Sequence, residues 1–218
     1  KFHFMLIFVD FDDVLFNTKR FKKELIALFI KNGVSKKDFF SSYYDYPRKT
    51  ENGLRKYDPY GQIKILKKKN KFLDDKKIKK NLNSFLKGVS IFLFSDSKTF
   101  LKTFKKKNLI LISYGVNKFQ KMKIKNCDLG KYFSRLIVGD QDKAKLLKKF
   151  FKKRKVKKFV FLLEDHPLHI DSVKKKIPAI IIIRIKRKDG RYSSRRSVKV
   201  NFAVKNLTEA IKIIRNFQ

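Results

Sequence analysis

Five short, almost uninterrupted apolar runs constrain this chain more than any other feature. They are Phe4–Val9, Leu109–Ile112, Leu136–Val138, Phe159–Leu163 and Ala179–Ile185. A strand with one wet face alternates apolar and polar residues. A run without alternation needs cover on both faces, which is the situation of a strand inside a parallel sheet. The segments between the runs are rich in lysine and have helical spacing. Phe100, Leu101 and Phe104 share a face within Ser97–Lys107. Leu146, Leu147, Phe150 and Phe151 do so within Lys143–Phe151. Near the end, Ala210, Ile211, Ile214 and Phe217 recur within Thr208–Phe217, where Thr208 is a candidate cap. Val173–Lys176 reads as the end of a short helix before Pro178. Strands alternating with helices predict an α/β fold, a doubly wound Rossmann-like parallel sheet.

One interval breaks the alternation. About a hundred residues separate the first run from the second, far more than a single crossover helix needs. Lys19–Lys31, Ile63–Lys69 and Lys76–Leu86 read as helices, while Tyr43–Gly61 is rich in Tyr, Pro, Gly and Asn and reads as irregular. We therefore expect a mainly helical cap over residues 19–87, inserted after the first strand into a core made of 1–18 and 88–218.

Composition narrows the class. Of the 218 residues, 43% are hydrophobic, enough for a packed core despite 35% charged residues. The single cysteine, Cys127, rules out an internal disulfide. The apolar start runs into Asp10, Asp12 and Asp13 without a small-residue cleavage site, so it reads as a buried strand and not a signal peptide. No later run is long enough to span a bilayer. A cytoplasmic protein without a membrane partner is the expectation. The net charge of +38 has two readings. Lysines near phosphates favour a polyanion, so weak nucleic-acid binding through the basic surface is one. The other is coding bias, because Lys, Asn, Ile and Phe are abundant while Gly and Pro are scarce.

The chemistry concentrates at strand ends. The first run ends in Asp10-Phe11-Asp12-Asp13, and alternate residues of an extended segment point the same way, so Asp10 and Asp12 can face one site. Two carboxylates with main-chain oxygens make a hard-oxygen site suited to Mg²⁺. An acidic turn in solvent is the plain alternative. The fourth run ends in Glu164-Asp165, a second acidic pair at the end of a strand. No zinc spacing, Ser-His-Asp setting or phosphate-cradling glycine loop accompanies them. His166 and His169 follow the second pair and read as a loop or helix-start pair or as proton-transfer groups. Asp171 reads as a further acid or a solvated helix position.

Taken in order, these segments resemble the haloacid dehalogenase superfamily, in its helical-cap subgroup. Ile7-Phe8-Val9-Asp10-Phe11-Asp12-Asp13-Val14-Leu15 is similar to its first motif. Leu109-Ile110-Leu111-Ile112-Ser113 resembles the second, Lys143 or else Lys145 the third, and Glu164-Asp165 the fourth. Val204–Glu209 is similar to the closing strand and helix. The resemblance spans essentially the whole chain, with the cap least constrained. It implies a phosphoric monoester hydrolase acting on a small phosphorylated substrate. Asp10 is then the nucleophile and Asp12 the general acid and base. Ser113 and Lys143 bind phosphate. Mg²⁺ sits among Asp10, the main-chain carbonyl of Asp12, Glu164 and Asp165. Asp13-Val14 departs from the family's common Gly-Thr, and Glu164 from its commoner Asp. The dehalogenase branch uses the same nucleophile without a metal. A non-catalytic nucleic-acid-binding protein on this fold, and a phosphatase of nucleotides or nucleic-acid ends, are the rivals. The basic stretch Arg184–Arg196 could track a nucleic-acid backbone, with Tyr192 stacking on a base, or be a solvated loop. Tyr43, Tyr44, Tyr46, Tyr57 and Tyr60 could line a substrate pocket or pack within the cap.

Overall fold

A computed structural model describes residues 5–45, 54, 56–152, 159–188, 190–197 and 199–217. Its strands are β1 (Met5–Val9), β2 (Leu109–Tyr114), β3 (Arg135–Gly139), β4 (Phe159–Glu164), β5 (Ile181–Ile185) and β6 (Phe202–Val204). They form one parallel sheet in the order β3-β2-β1-β4-β5-β6. The five apolar runs are thus five of its strands. Phe4 and Tyr46 lie outside the described residues.

The apolar runs lack alternation because both sheet faces are covered. Met5, Ile7 and Val9 of β1, with Leu109, Leu111, Phe161 and Leu163, join one core. Leu6, Phe8, Ile110, Ile112, Val160 and Leu162 join the other. The first core is closed by α5 (Ser97–Thr103), α6 (Asn117–Asn126) and α9 (Leu207–Arg215), through Phe100, Phe119 and Ile214 among others. The second is closed by α7 (Lys143–Phe151) and α8 (Pro167–Lys176), through Leu147, Phe150, Ile170 and Val173. The two edge strands, β3 and β6, are the partly exposed ones, with Leu136 41% and Phe202 36% accessible.

The long interval between β1 and β2 holds α1 (Thr18–Lys31), α2 (Lys36–Asp45), α3 (Pro59–Lys69) and α4 (Asp75–Lys87). The helix α2 lies partly in the stretch read as irregular, and its start was not foreseen. Its aromatic residues pack along the chain: Phe39 meets Phe29 edge-on at 5.2 Å and stacks on Tyr43 at 6.0 Å. Sequence patterning also left α6 unassigned. Its lysines at 118, 121, 123 and 125 mask the apolar face of Phe119 and Ile124. At α9, Asn206 and not Thr208 is the cap. Asn206 keeps an extended backbone and its side chain accepts from the Glu209 N–H, while Thr208 is already helical.

A polar clamp joins distant parts of the core. Both oxygens of Asp96 accept from the Arg187 guanidinium (2.7 and 2.8 Å), and one also accepts the Leu207 N–H at 2.8 Å. Arg187 also donates to the Val14 carbonyl and lies over the Phe94 ring. Removing the carboxylate leaves a buried guanidinium without its counter-charge. We expect Asp96→Ala to cost about 3 kcal/mol in urea unfolding. Lys102→Ala, on the exposed face of α5, should stay within about 0.5 kcal/mol of wild type.

Candidate active site

The strand order reverses beside β1. In such sheets ligands sit outside the carboxyl ends of the strands where the order reverses. Val9 of β1 is in register with Leu163 of β4, and the Asp10 N–H donates to the Leu163 carbonyl at 3.0 Å. Asp10 is therefore fixed beside Glu164. Asp10, Glu164 and Asp165 are all buried, and each offers a carboxylate oxygen within 4.8 Å of the others.

One ammonium serves this group. Lys143 Nζ lies 2.6 Å from Asp10 Oδ1 and 2.5 Å from Glu164 Oε2. Lys145 is exposed, one helical step away. Asp142 caps α7 by accepting the Ala144 N–H, which sets Lys143 at the first helical position. The helix dipole disfavours a cation there. The two carboxylates outweigh it, and with burial opposing them they still raise the Lys143 pKa.

Three carboxylates cannot share one cation equally. Burial acts against all three anions, and Lys143 holds Glu164 down at about 2. Asp10 is pushed well above the ordinary carboxyl range by burial and by the neighbouring Glu164 charge. Asp165 is raised by burial and by the same charge. Burial also pushes His166 down to about 4 and His169 down to about 3, so both rings are neutral at neutral pH. The His166 ring nitrogen accepts the Leu168 N–H and caps α8.

The donor set fits a hard divalent cation. Glu164 is largely consumed: Oε2 holds Lys143, and Oε1 accepts the N–H groups of Asp165 and His166. Asp165 Oδ2 is buried without a hydrogen-bond partner. Asp10 and Asp165 would therefore hold the metal most directly, with Glu164 fixing the lysine. Ser113, next to last in strand β2, is fully buried and its Oγ also lacks a partner. Ser113 does not line the cavity over Asp10, whose nearest lining residues on this strand end are Tyr114 and Gly115.

Asp12 points to a different set. Its carboxylate accepts from Thr18 Oγ1 (2.8 Å), Gln120 Nε2 (2.6 Å) and Lys123 Nζ (2.8 Å). Burial would raise this carboxyl, but Lys123 and Arg191 hold it well below the usual range. Lys123 is itself buried among aromatic rings, 5.0 Å from the centroid of Phe11 and 5.2 Å from that of Phe16. The Asp12 side chain does not join the three-carboxylate group.

The departure at Asp13 has a structural reason. Its φ of 56° lies in the left-handed region, where a glycine is the unstrained choice. Its carboxylate offsets the strain by accepting from the Thr18 N–H (3.2 Å) and Arg191 Nε (2.5 Å). The basic stretch is thereby partly accounted for. Arg184 donates to the carbonyls of Tyr192 and Arg195, Arg187 holds Asp96, and Arg191 holds Asp13. Asp189 lies outside the described residues. Asp171 accepts from Ser197 and stands apart from the acidic group.

A cavity of about 410 Å³ opens over these groups. Its floor includes Asp10, Asp12, Lys143 and Asp165, and its walls include Tyr43 and Tyr57 of the cap and Tyr192 of the core. Tyr44 is exposed, and Tyr60 donates to Asn83. Sequence reading missed Thr18, Gln120, Lys123 and Arg191. The spacing of Gln120 and Lys123, one helical turn apart, is a signal only once α6 is known to pass Asp12.

This is the haloacid dehalogenase-like hydrolase fold with a helical cap inserted after the first strand. A haloacid dehalogenase-like hydrolase from Burkholderia xenovorans LB400 superposes with a TM-score of 0.77 at 14% identity, covering 99% of this chain and 98% of that one. The HAD-hydrolase YfnB from Bacillus subtilis, solved bound to magnesium, gives 0.66 at 13% identity over 97% and 99%. The L-2-haloacid dehalogenase from Xanthobacter autotrophicus gives 0.60 at 12% identity over 98% and 99%. No protein-family model and no curated protein matches the sequence. Among the described residues, no helix is long and apolar enough to cross a membrane.

The raised carboxyls make a pH-dependent prediction. Glu164 stabilises the fold above its ordinary pKa of 4.5, and that contribution is lost as pH falls toward 2. Asp10 and Asp165 behave oppositely: their ionisation costs the folded state as pH rises through their elevated values, unless a cation compensates. The rise in Tm on adding MgCl₂ should therefore grow from pH 5 to pH 8 and shrink in Asp165→Asn. A pH-independent rise equal in both proteins would contradict the site.

Proposed function

We propose that this chain is a Mg²⁺-dependent phosphatase acting on a small phosphomonoester, with Asp10 as the nucleophile. The observation that carries the reading is the placement of Asp10. Its buried carboxylate meets Lys143, belongs to one group with Asp165, whose second oxygen is unpartnered, and lines the cavity. The resemblance of all four sequence segments to the superfamily's motifs supports it.

An Asp10 oxygen attacks phosphorus and the bond to the leaving oxygen breaks, giving an acyl phosphate. Asp12 is ionised in the resting site, so it is ready as the base for the second half. It takes a proton from water, the water oxygen attacks phosphorus, and Asp10 is released with inorganic phosphate. The proton for the leaving oxygen comes in the first half from a substrate that binds as its monoanion, or from Asp12 once it is protonated. Ser113 and Lys143 donate to the phosphoryl oxygens as charge builds there. Bound Mg²⁺ offsets the repulsion between carboxylate and phosphate.

A second reading, hydrolytic dehalogenation, is favoured by one observation: Lys143 already counters the Asp10 charge without a metal. The two separate in one assay series. With phosphomonoesters and Mg²⁺, we expect turnover that EDTA abolishes, that Asp10→Asn reduces at least about a thousandfold, and that Ser113→Ala reduces about a hundredfold. Halide release from 2-haloacids that persists in EDTA would select the second reading. Phosphatase turnover surviving in Asp10→Asn would refute the nucleophile.

A further inference from the structure

The cavity over Asp10 contains more cations than its own acids use. Lys143 is held by Asp10 and Glu164, Lys123 by Asp12, and Arg191 by Asp13. Two lining cations remain: Lys22 on α1 and Arg195 in the connection from β5 to β6. Among the described residues, neither has an acid within ion-pair distance. In a chain with 57 Lys and Arg against 19 acids, lacking an acid says little by itself. The placement says more. Each cation lies on an aromatic ring of the same cavity: Lys22 Nζ is 3.9 Å from the Tyr43 centroid, and the Arg195 guanidinium 5.2 Å from that of Tyr192. Tyr57 and Phe119 continue the wall, in edge-to-face contact at 6.3 Å. A volume of about 410 Å³ exceeds what a bare phosphate fills and matches the lower part of the ~300–1,000 Å³ range for small organic ligands.

Resting on the phosphatase reading, we propose that the substrate carries a second anionic group on a flat, ring-like skeleton, and that Lys22 and Arg195 receive it. The phosphoryl end lies at Asp10, the skeleton lies against the aromatic wall, and the second anion meets a cation from the cap and one from the core. A charge-assisted contact is the strong kind of hydrogen bond, so the second group should raise affinity and not merely be tolerated.

The test uses the full chain carrying Asp10→Asn, so that binding is read without turnover. Phenyl phosphate is compared by calorimetry with 4-carboxyphenyl and 4-carboxymethylphenyl phosphate, in Mg²⁺ and at fixed salt. At least one carboxylated ligand should bind about tenfold tighter, ~1.4 kcal/mol. Adding Lys22→Met and Arg195→Met should erase that preference. Adding Lys68→Met and Lys80→Met, which remove two exposed charges outside the cavity, should keep it. Equal affinities, a preference that survives loss of Lys22 and Arg195, or equal loss in both double variants would overturn the proposal. Wild-type turnover of phenyl phosphate separates the two claims. Turnover without a binding preference sinks this inference alone. A preference without any turnover sinks the phosphatase reading alone, and the absence of turnover together with binding of none of the three ligands sinks both.

Discussion

Among the described residues, one buried ammonium, that of Lys143, is in ion-pair contact with the group of three buried carboxylates, and the site is organised around that shortage. Lys143 can touch only two of them, Asp10 and Glu164, and Glu164 secures its hold with two further main-chain hydrogen bonds. Asp10 and Asp165 are left short of positive charge, and burial with the neighbouring Glu164 charge pushes both carboxyls well above their ordinary range. Burying like charges together is among the most expensive things a fold can do. Protonation or a bound cation relieves the deficit, which makes the group consistent with a cation site.

The surrounding fold keeps the two acidic strand ends together. Parallel pairing of β1 with β4 fixes their register, and the hydrogen bond from Asp10 to Leu163 extends that register one residue past the strand. The loop after β1 is then held in a strained turn by charge: Asp13 accepts from Arg191, and Asp12 from Lys123 and Thr18. Thr18 opens α1, the first helix of the cap, so the loop that presents Asp12 is tied directly to the start of the cap. Gln120 and Lys123 approach the same carboxylate from the core side, on α6. Asp12 thereby sits between the two parts of the chain.

The large positive charge divides along similar lines. Much of the basic stretch after β5 is spent inside the molecule, because Arg184, Arg187 and Arg191 each satisfy a carbonyl or a carboxylate of the core. An arginine fork can hold two acceptors at once, which suits it to stitching loops together. Some exposed helix lysines are also engaged, Lys69 with Asp45 and Lys176 with Asp142, but the many lysines on the helix faces give the chain its overall basic character.

Strand positions were legible in the sequence because continuous apolar runs have one common physical cause, cover on both sheet faces. The insertion was legible from chain length, and the meeting of Asp10, Lys143, Glu164 and Asp165 from their places at strand and helix ends. The helices α2 and α6 were not, since aromatic clustering in one and lysine in the other hid the helical period. Nor could Lys123 or Arg191 be singled out among so many cations. Their roles come from helices and loops far apart in the chain meeting at Asp12 and Asp13. Periodicity and strand ends are local properties that a sequence carries on its face. Which of many identical charges is desolvated against which acid depends on packing across distances the local pattern does not encode, and only the tertiary structure decided it.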